Sequence, residues 1–116
     1  MSEPRSEFVE YRGRRVLRSI ARAEVTHLVA EDKYVTVHAG AAQALIADSL
    51  AALVREGMPE FVQVHRAHLV RVELIASVGR DGPTFWVNLV DGQRLPMSRR
   101  LRAELFKVRP DLRAKP

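Results

Sequence analysis

Apolar and polar residues alternate along most of the chain, which is the period-2 pattern of half-buried β-strands. The clearest case is YVTVH at 34–38, where Val35 and Val37 share one face and the polar side chains share the other. Pro96 has no N–H for a ladder, which places it either on an edge strand or at the end of its strand. We predict strands within 8–20 (two, joined at Gly13), 23–30, 34–38, 43–47, 60–65, 72–78, 84–90 and 93–97.

Two short segments have helical spacing instead. DSLAALVREG begins with Asp48 or Ser49, either of which can cap a helix, and ends at Gly57, which suits a C′ position. SRRLRAELFKV begins at Ser98, a second candidate cap, and carries leucine or valine at i, i+4 and i+7. The pattern therefore predicts a mainly β chain with one or two short helices.

Composition narrows the class of protein. The 116 residues suit one domain, and the absence of cysteine excludes disulfides and thiolate metal sites. No apolar run is long enough for a membrane span, and the N-terminus lacks the apolar core of a signal peptide. We expect a cytoplasmic protein.

The net charge of +5 is concentrated at one end of the chain. Residues 1–92 hold 11 basic and 12 acidic side chains, whereas residues 93–116 hold 8 basic and 2 acidic ones. Such asymmetry favours a polyanionic partner, although a solvated, disordered basic tail gives the same count.

The arginines of SRRLR carry the strongest functional signal. Arg99, Arg100 and Arg102 fall in the first turn of the predicted second helix, where the macrodipole makes a cation mildly unfavourable. A helix N-terminus lined with arginines is a suitable binding site for an anion such as phosphate. The alternative is that the arginines turn away from the helix end and pair with surface acids such as Glu104.

The apolar phase shifts twice within FVQVHRAHLVRVELI (61–75), which predicts a turn or bulge over 65–69. On such a turn Arg66 could reach a base edge or a phosphate. His65 is expected to brace the turn through a hydrogen bond, and His68 is expected to pack.

A further basic candidate is Lys33, in the tight turn EDK, although a lysine on a turn is usually only solvated. A long basic side chain at a loop tip can enter a groove that a flat sheet cannot. Tyr34, Phe85 and Trp86 form no obvious stacking platform, which argues against a reader of single strands.

Catalytic and metal-binding constellations are missing from the sequence. His65 and His68 have neither a cysteine nor enough nearby carboxylates to complete a zinc set. No GxSxG, HExxH or phosphate-cradling glycine loop occurs. We therefore expect no metal, no cofactor and no enzymatic activity.

Three stretches, in order and spacing, resemble the LytTR-type DNA-binding domain of bacterial transcription regulators. They are AEDKYVTV, FVQVHRAHLV and LPMSRR, with a short helix between the first two, and the resemblance runs from about residue 16 to 106. It assigns residues 1–15 to an N-terminal extension with a possible first strand, 16–108 to the domain and 109–116 to a frayed basic tail. Shortly after the H-R segment, where many members have the Asn of LVN, this chain has Arg71, so a turn contact made at that position could differ.

The resemblance implies small antiparallel sheets packed as an elongated β sandwich, with loops that enter successive major grooves of an imperfect direct repeat and bend the DNA. Its loop positions correspond to Lys33, Arg66 and Arg99. Residues expected to position the loops or the backbone are Tyr34, His65, Ser98 and Arg100. Family members commonly carry a receiver or a membrane segment ahead of this domain, and only about 15 residues precede it here, so control by phosphorylation is not predicted.

We therefore expect a sequence-specific binder of double-stranded DNA that regulates transcription, with a second protomer on the same DNA. Two other classes stay open. One is a β domain that docks an acidic protein partner through its C-terminal arginines, and the other is a small hydrolase or nuclease that uses His65.

Overall fold

The computed structural model describes residues 5–113, and the chain divides between Pro59 and Glu60 into two compact units. The strands of the N-terminal unit are β1 (Glu7–Arg12), β2 (Arg15–Ala21), β3 (His27–Glu31), β4 (Tyr34–Ala39) and β5 (Ala42–Ile46). Its helix is α1 (Leu50–Glu56), and a 3-10 turn covers Arg22–Glu24. β1 pairs with β2, and β4 lies between β3 and β5, with every pair antiparallel.

Burial in the N-terminal unit follows the predicted alternation only in part. Val35 and Val37 are buried, as the pattern of β4 requires. Thr36 on the opposite face is buried as well, and its hydroxyl donates a hydrogen bond to the Glu31 carboxylate. A partner for the hydroxyl removes the main cost of burying it.

Helix α1 is closed at both ends by the residues that the sequence indicates. The Ser49 hydroxyl oxygen accepts a hydrogen bond from the Ala52 N–H at 3.1 Å. Gly57 adopts the left-handed conformation, with a φ of 76°, and its N–H donates to the Val54 carbonyl. Leu50 and Leu53 are buried, whereas Val54, which was expected on the same face, is exposed.

The C-terminal unit contains the remaining elements. Its strands are β6 (Phe61–His65), β7 (His68–Arg71), β8 (Ile75–Asp81), β9 (Thr84–Leu89) and β10 (Arg94–Met97). Its helix is α2 (Arg102–Val108), and 3-10 turns cover Val72–Leu74 and Pro110–Leu112. β6 and β7 form an antiparallel hairpin, and β9 lies between β8 and β10 in an antiparallel three-stranded sheet. Pro96 is therefore on an edge strand, as predicted.

The core of the C-terminal unit is one apolar cluster, made of Val64, Val70, Ile75, Phe85, Val87, Leu89, Leu95, Met97, Leu105 and Leu112. From α2 the cluster takes Leu105, and Phe106 packs against it. Val108 is exposed, so the predicted stripe of leucine and valine on this helix is wrong at its last position.

The predicted tail over 109–116 lies partly outside the described residues, which end at 113. Its described part is folded. Nη1 of Arg109 donates to the carbonyls of Val72 at 2.8 Å and Ile75 at 3.1 Å, and Leu112 is only 8% exposed. Fraying stays a prediction for residues 114–116.

The fold class is confirmed as mainly β, with small antiparallel sheets and two short helices. Within the described part of the chain, no helix is long and apolar enough to cross a membrane.

Candidate nucleic-acid interface

The hairpin turn between β6 and β7 presents Arg66. The register of the two strands shifts between Gln63 and His65, and the turn itself is Arg66 and Ala67. Nδ1 of His65 accepts a hydrogen bond from the Ala67 N–H at 3.1 Å, so His65 braces the turn as predicted. The predicted turn is confirmed, and Arg66 is exposed on it.

The segment after β10 differs from its prediction. The Leu101 N–H donates to the Ser98 carbonyl at 3.2 Å, and the Arg102 N–H donates to the Arg99 carbonyl at 3.4 Å. These are consecutive i to i+3 turns, and the α-helix begins only at Arg102 with no side-chain cap. The prediction that Ser98 caps a helix, and that Arg99 and Arg100 lie in its first turn, is wrong. The dipole of this seven-residue helix therefore does not explain the arginines.

One backbone hydrogen bond joins the two segments. The Ser98 N–H donates to the Val64 carbonyl at 2.7 Å. Arg66 is two residues beyond this bond on one segment, and Arg99 is one residue beyond it on the other. The C-terminal unit therefore brings together five of the seven predicted residues: His65, Arg66, Ser98, Arg99 and Arg100.

The arginines of this group have no carboxylate partner among residues 5–113. Arg66, Arg99 and Arg100 are exposed, and no ion pair of the described residues involves them. Glu104, the acid that was their expected surface partner, pairs with Lys107 at 3.3 Å. Three unneutralised cations on adjoining turns are an electrostatic footprint for an anion.

The other two predicted residues lie in the N-terminal unit. Glu31 and Tyr34 close the β3–β4 hairpin, and Asp32 and Lys33 form its turn. Lys33 is exposed, and Tyr34 is 51% exposed. The Glu31 carboxylate accepts a hydrogen bond from Thr36, and no ion pair of the described residues involves Lys33.

The sequence did not reveal a cavity of about 440 Å³ in the C-terminal unit. Arg99 lines it together with Arg80, Arg102 and Arg113, of which only Arg102 was singled out from the sequence. They come from β8, α2 and the end of the described chain, so no local spacing could have signalled their convergence.

Metal binding has no visible basis in the described part of the chain. Among residues 5–113, no three His, Cys, Asp or Glu side chains cluster in a way that could hold a metal ion.

Comparison with known proteins identifies the family. The LytTr DNA-binding domain matches residues 16–109, and the chain belongs to this family. An uncharacterised response regulatory protein of Vibrio cholerae is 39% identical over an alignment of 95 residues, and the match covers 77% of this chain and 36% of that protein. The chain thus spans about a third of the length of this relative.

A solved LytTr DNA-binding domain from Bacillus cereus has the same fold. Its TM-score with this chain is 0.74 at 22% identity, and the match covers 90% of this chain and 96% of that one. The resemblance noted in the sequence is therefore confirmed by both the family match and the fold.

Proposed function

We propose that this chain binds double-stranded DNA in a sequence-specific manner and serves transcription regulation. The observation that carries the proposal is the hydrogen bond from Ser98 to Val64, which holds the turns of Arg66 and Arg99 side by side. Membership of the LytTr DNA-binding family supports the same conclusion.

The proposed contacts differ with the chemistry of each side chain. Arg66 and Arg99 read base edges, because a guanidinium can donate two parallel hydrogen bonds to guanine in the major groove. Lys33 contacts phosphate or a single acceptor, because an ammonium is a point charge. Tyr34, His65, Ser98 and Arg100 position the loops or contact the backbone. The site read in this way is an imperfect direct repeat whose successive major grooves receive the loops.

The first test is selection from a random duplex pool, followed by binding of the winner and of a scrambled duplex across a salt series. We expect an enriched direct repeat that binds much more tightly than the scrambled control. The logarithm of affinity should fall by about 0.9 per phosphate contact for each decade of salt.

The two arginines are then tested separately against a matched control. Arg66→Ala and Arg99→Ala should each lose about 1–3 kcal/mol of discrimination between the selected and scrambled duplexes. Arg55→Ala removes another exposed cation, from α1, and should leave discrimination unchanged. Equal losses on both duplexes would mean that the arginines contact phosphates.

The rival functions give different outcomes in the same assays. Weak binding with no enriched sequence would favour the acidic protein partner. Cleavage of the duplex that disappears in His65→Ala would favour a nuclease.

A further inference from the structure

The cavity beside α2 combines an apolar floor with a basic rim. It measures about 440 Å³, within the range of small-ligand sites in proteins. Apolar side chains line it on β8, β9, α2 and the last 3-10 turn: Val78, Phe85, Ala103, Phe106 and Leu112. The remaining lining residues are all arginines: Arg80, Arg99, Arg102 and Arg113.

The charge of the rim is not compensated within the described residues. No carboxylate lines the cavity. Glu104 and Asp111 each neighbour a lining residue in sequence, but they are engaged with Lys107 at 3.3 Å and with Arg109 at 2.7 Å. Because arginine stays protonated at any working pH, the guanidinium groups repel one another, and an anion among them would relieve that repulsion.

Three of the rim arginines stack on the aromatic floor. The guanidinium carbons of Arg102 and Arg80 lie 4.4 and 5.2 Å from the centre of the Phe85 ring, and that of Arg113 lies 5.9 Å from the Phe106 ring. The stacking keeps the guanidinium groups beside the apolar surface, while Arg80 and Arg113 stay exposed to solvent.

We propose that this cavity is a binding site for a small organic anion with a flat apolar body, such as an aromatic carboxylate. The apolar lining residues that are not fully buried, Val78, Ala103 and Phe106, would pack against the body, and the guanidinium groups would donate charge-assisted hydrogen bonds to the carboxylate. A bare inorganic anion would leave the apolar floor unused, and a neutral aromatic compound would leave the rim unused.

Stacking by itself does not define the site. Arg94 lies 4.3 Å from the Trp86 ring but does not line the cavity. This distance is nearly the same as the 4.4 Å of Arg102 on Phe85, so the pair provides a matched control. What distinguishes the cavity is that four arginines line one partly open concave surface with an apolar floor.

Arg99 belongs both to the cavity and to the proposed DNA contacts, so the two ligands would compete. This coupling, unlike the site itself, rests on the proposed function. By linkage, the anion must weaken binding of the selected duplex by the same factor by which the duplex weakens the anion.

The site is tested on the full chain without DNA, by following backbone amide resonances during titration with naphthalene-2-carboxylate. We expect saturable shifts at the lining residues. Naphthalene-2-methanol, which lacks the charge, and acetate, which lacks the apolar body, should each bind at least about tenfold more weakly.

Variants then assign the binding to the rim. Arg80→Gln, Arg102→Gln and Arg113→Gln should each weaken naphthalene-2-carboxylate about fivefold, while Arg94→Gln should leave it unchanged. Dispersed amide spectra check that each variant is folded. The proposal is overturned by shifts that do not saturate, by equal affinity for the alcohol, or by a loss in Arg94→Gln as large as in Arg102→Gln.

A second arm separates this proposal from the proposed function. Saturating naphthalene-2-carboxylate should raise the dissociation constant of the selected duplex at least about fivefold. If the carboxylate binds but no duplex is selected, the cavity stands and the proposed function fails. If a duplex is selected but the carboxylate does not bind, the cavity proposal fails alone.

Discussion

At the scale of single residues, the β6–β7 turn divides two tasks between neighbours. Nδ1 of His65 accepts a hydrogen bond from the Ala67 N–H and so stabilises the turn. Arg66 makes no ion pair within the described residues and is exposed. The first side chain maintains the backbone, and the second is available to a partner.

Substituting these neighbours one at a time should separate the two tasks. His65→Ala removes the acceptor of the Ala67 N–H, so we expect the free energy of unfolding to fall by about 1 kcal/mol and the Ala67 amide to exchange faster. Arg66→Ala should leave both quantities unchanged while weakening the selected duplex. Hydrogen exchange and denaturant unfolding measure the difference, and His65→Asn, which offers an amide oxygen instead, should retain part of the protection. Equal protection of Ala67 in His65→Ala would contradict the bracing role.

A second residue-scale effect concerns His38 on β4. Its ring stacks on that of His27, with 4.4 Å between the centroids and 5° between the planes. Burial lowers the pKa of His38, and the Glu31 carboxylate only partly offsets this effect. The unfolded chain, with the ordinary histidine pKa of 6.5, therefore takes up a proton before the folded chain does.

The free energy of unfolding should consequently fall as the pH drops through the unfolded pKa, and this loss should level off below the folded pKa. Urea unfolding at a series of pH values measures this trend. In His38→Gln the contribution disappears, so the decline should be shallower. A decline of the same size in the variant would show that His38 does not cause it.

At the scale of elements, the β8–β9 pair contains a fitted contact between a glycine and a tryptophan. Gly79 pairs directly with Trp86, and the indole lies across the glycine. A Cβ at Gly79 would lie 2.0 Å from the indole Nε1 and 2.2 Å from Cε2. The strand therefore needs the absence of a side chain at this position.

Because of this contact, the effect of Gly79→Ala on the free energy of unfolding should change sign when Trp86 is replaced. Gly79→Ala should destabilise the wild-type chain by about 1–3 kcal/mol, because the indole must move. In a Trp86→Val background the same substitution should stabilise by roughly 0.5–1 kcal/mol, because glycine is the poorer strand former. Chemical unfolding of the four variants measures the interaction, and equal effects in both backgrounds would rule out the steric cause.

The secondary-structure elements also show how much of the fold can be predicted from the local sequence pattern. β4, α1 and the edge position of Pro96 follow from alternation, capping residues and the missing proline donor. The predicted strands wrongly included Ala23 and Glu24, which belong to the 3-10 turn Arg22–Glu24, and Val72–Leu74, which is a second 3-10 turn. A single 3-10 turn is too short to impose a period of its own on apolar residues that also suit a strand.

Some features of the candidate site could likewise be predicted from the sequence, and others could not. The phase change around His65 correctly indicated the turn that exposes Arg66, because a register shift alters the pattern locally. The late start of α2 was not predicted, and the turn that precedes it is joined to Val64, 34 residues earlier in the chain, by a long-range hydrogen bond that no local pattern can indicate. The arginine cavity was missed for the same reason.

At the scale of the whole molecule, the C-terminal charge excess belongs largely to the folded chain. Of the basic side chains in residues 93–116, only Lys115 lies outside the described residues. Lys107 and Arg109 are paired with acids, and Arg94 covers Trp86. No carboxylate within residues 5–113 pairs with Arg94 or with the cations of the turn after β10 and of the cavity rim: Arg99, Arg100, Arg102 and Arg113. A solvated tail therefore does not account for the excess.

The proposed direct repeat also bears on how the chains assemble on DNA. We propose that one chain binds each half of the repeat. Two protomers that bind a direct repeat point the same way along the DNA, so they are not related by the two-fold axis of a common dimer. We expect sedimentation to give the mass of one chain without DNA, a 2:1 complex on a duplex with both halves of the selected repeat, and a 1:1 complex when one half is scrambled. A stable two-fold dimer in the absence of DNA would contradict the tandem arrangement, because such a dimer presents its binding surfaces to an inverted repeat.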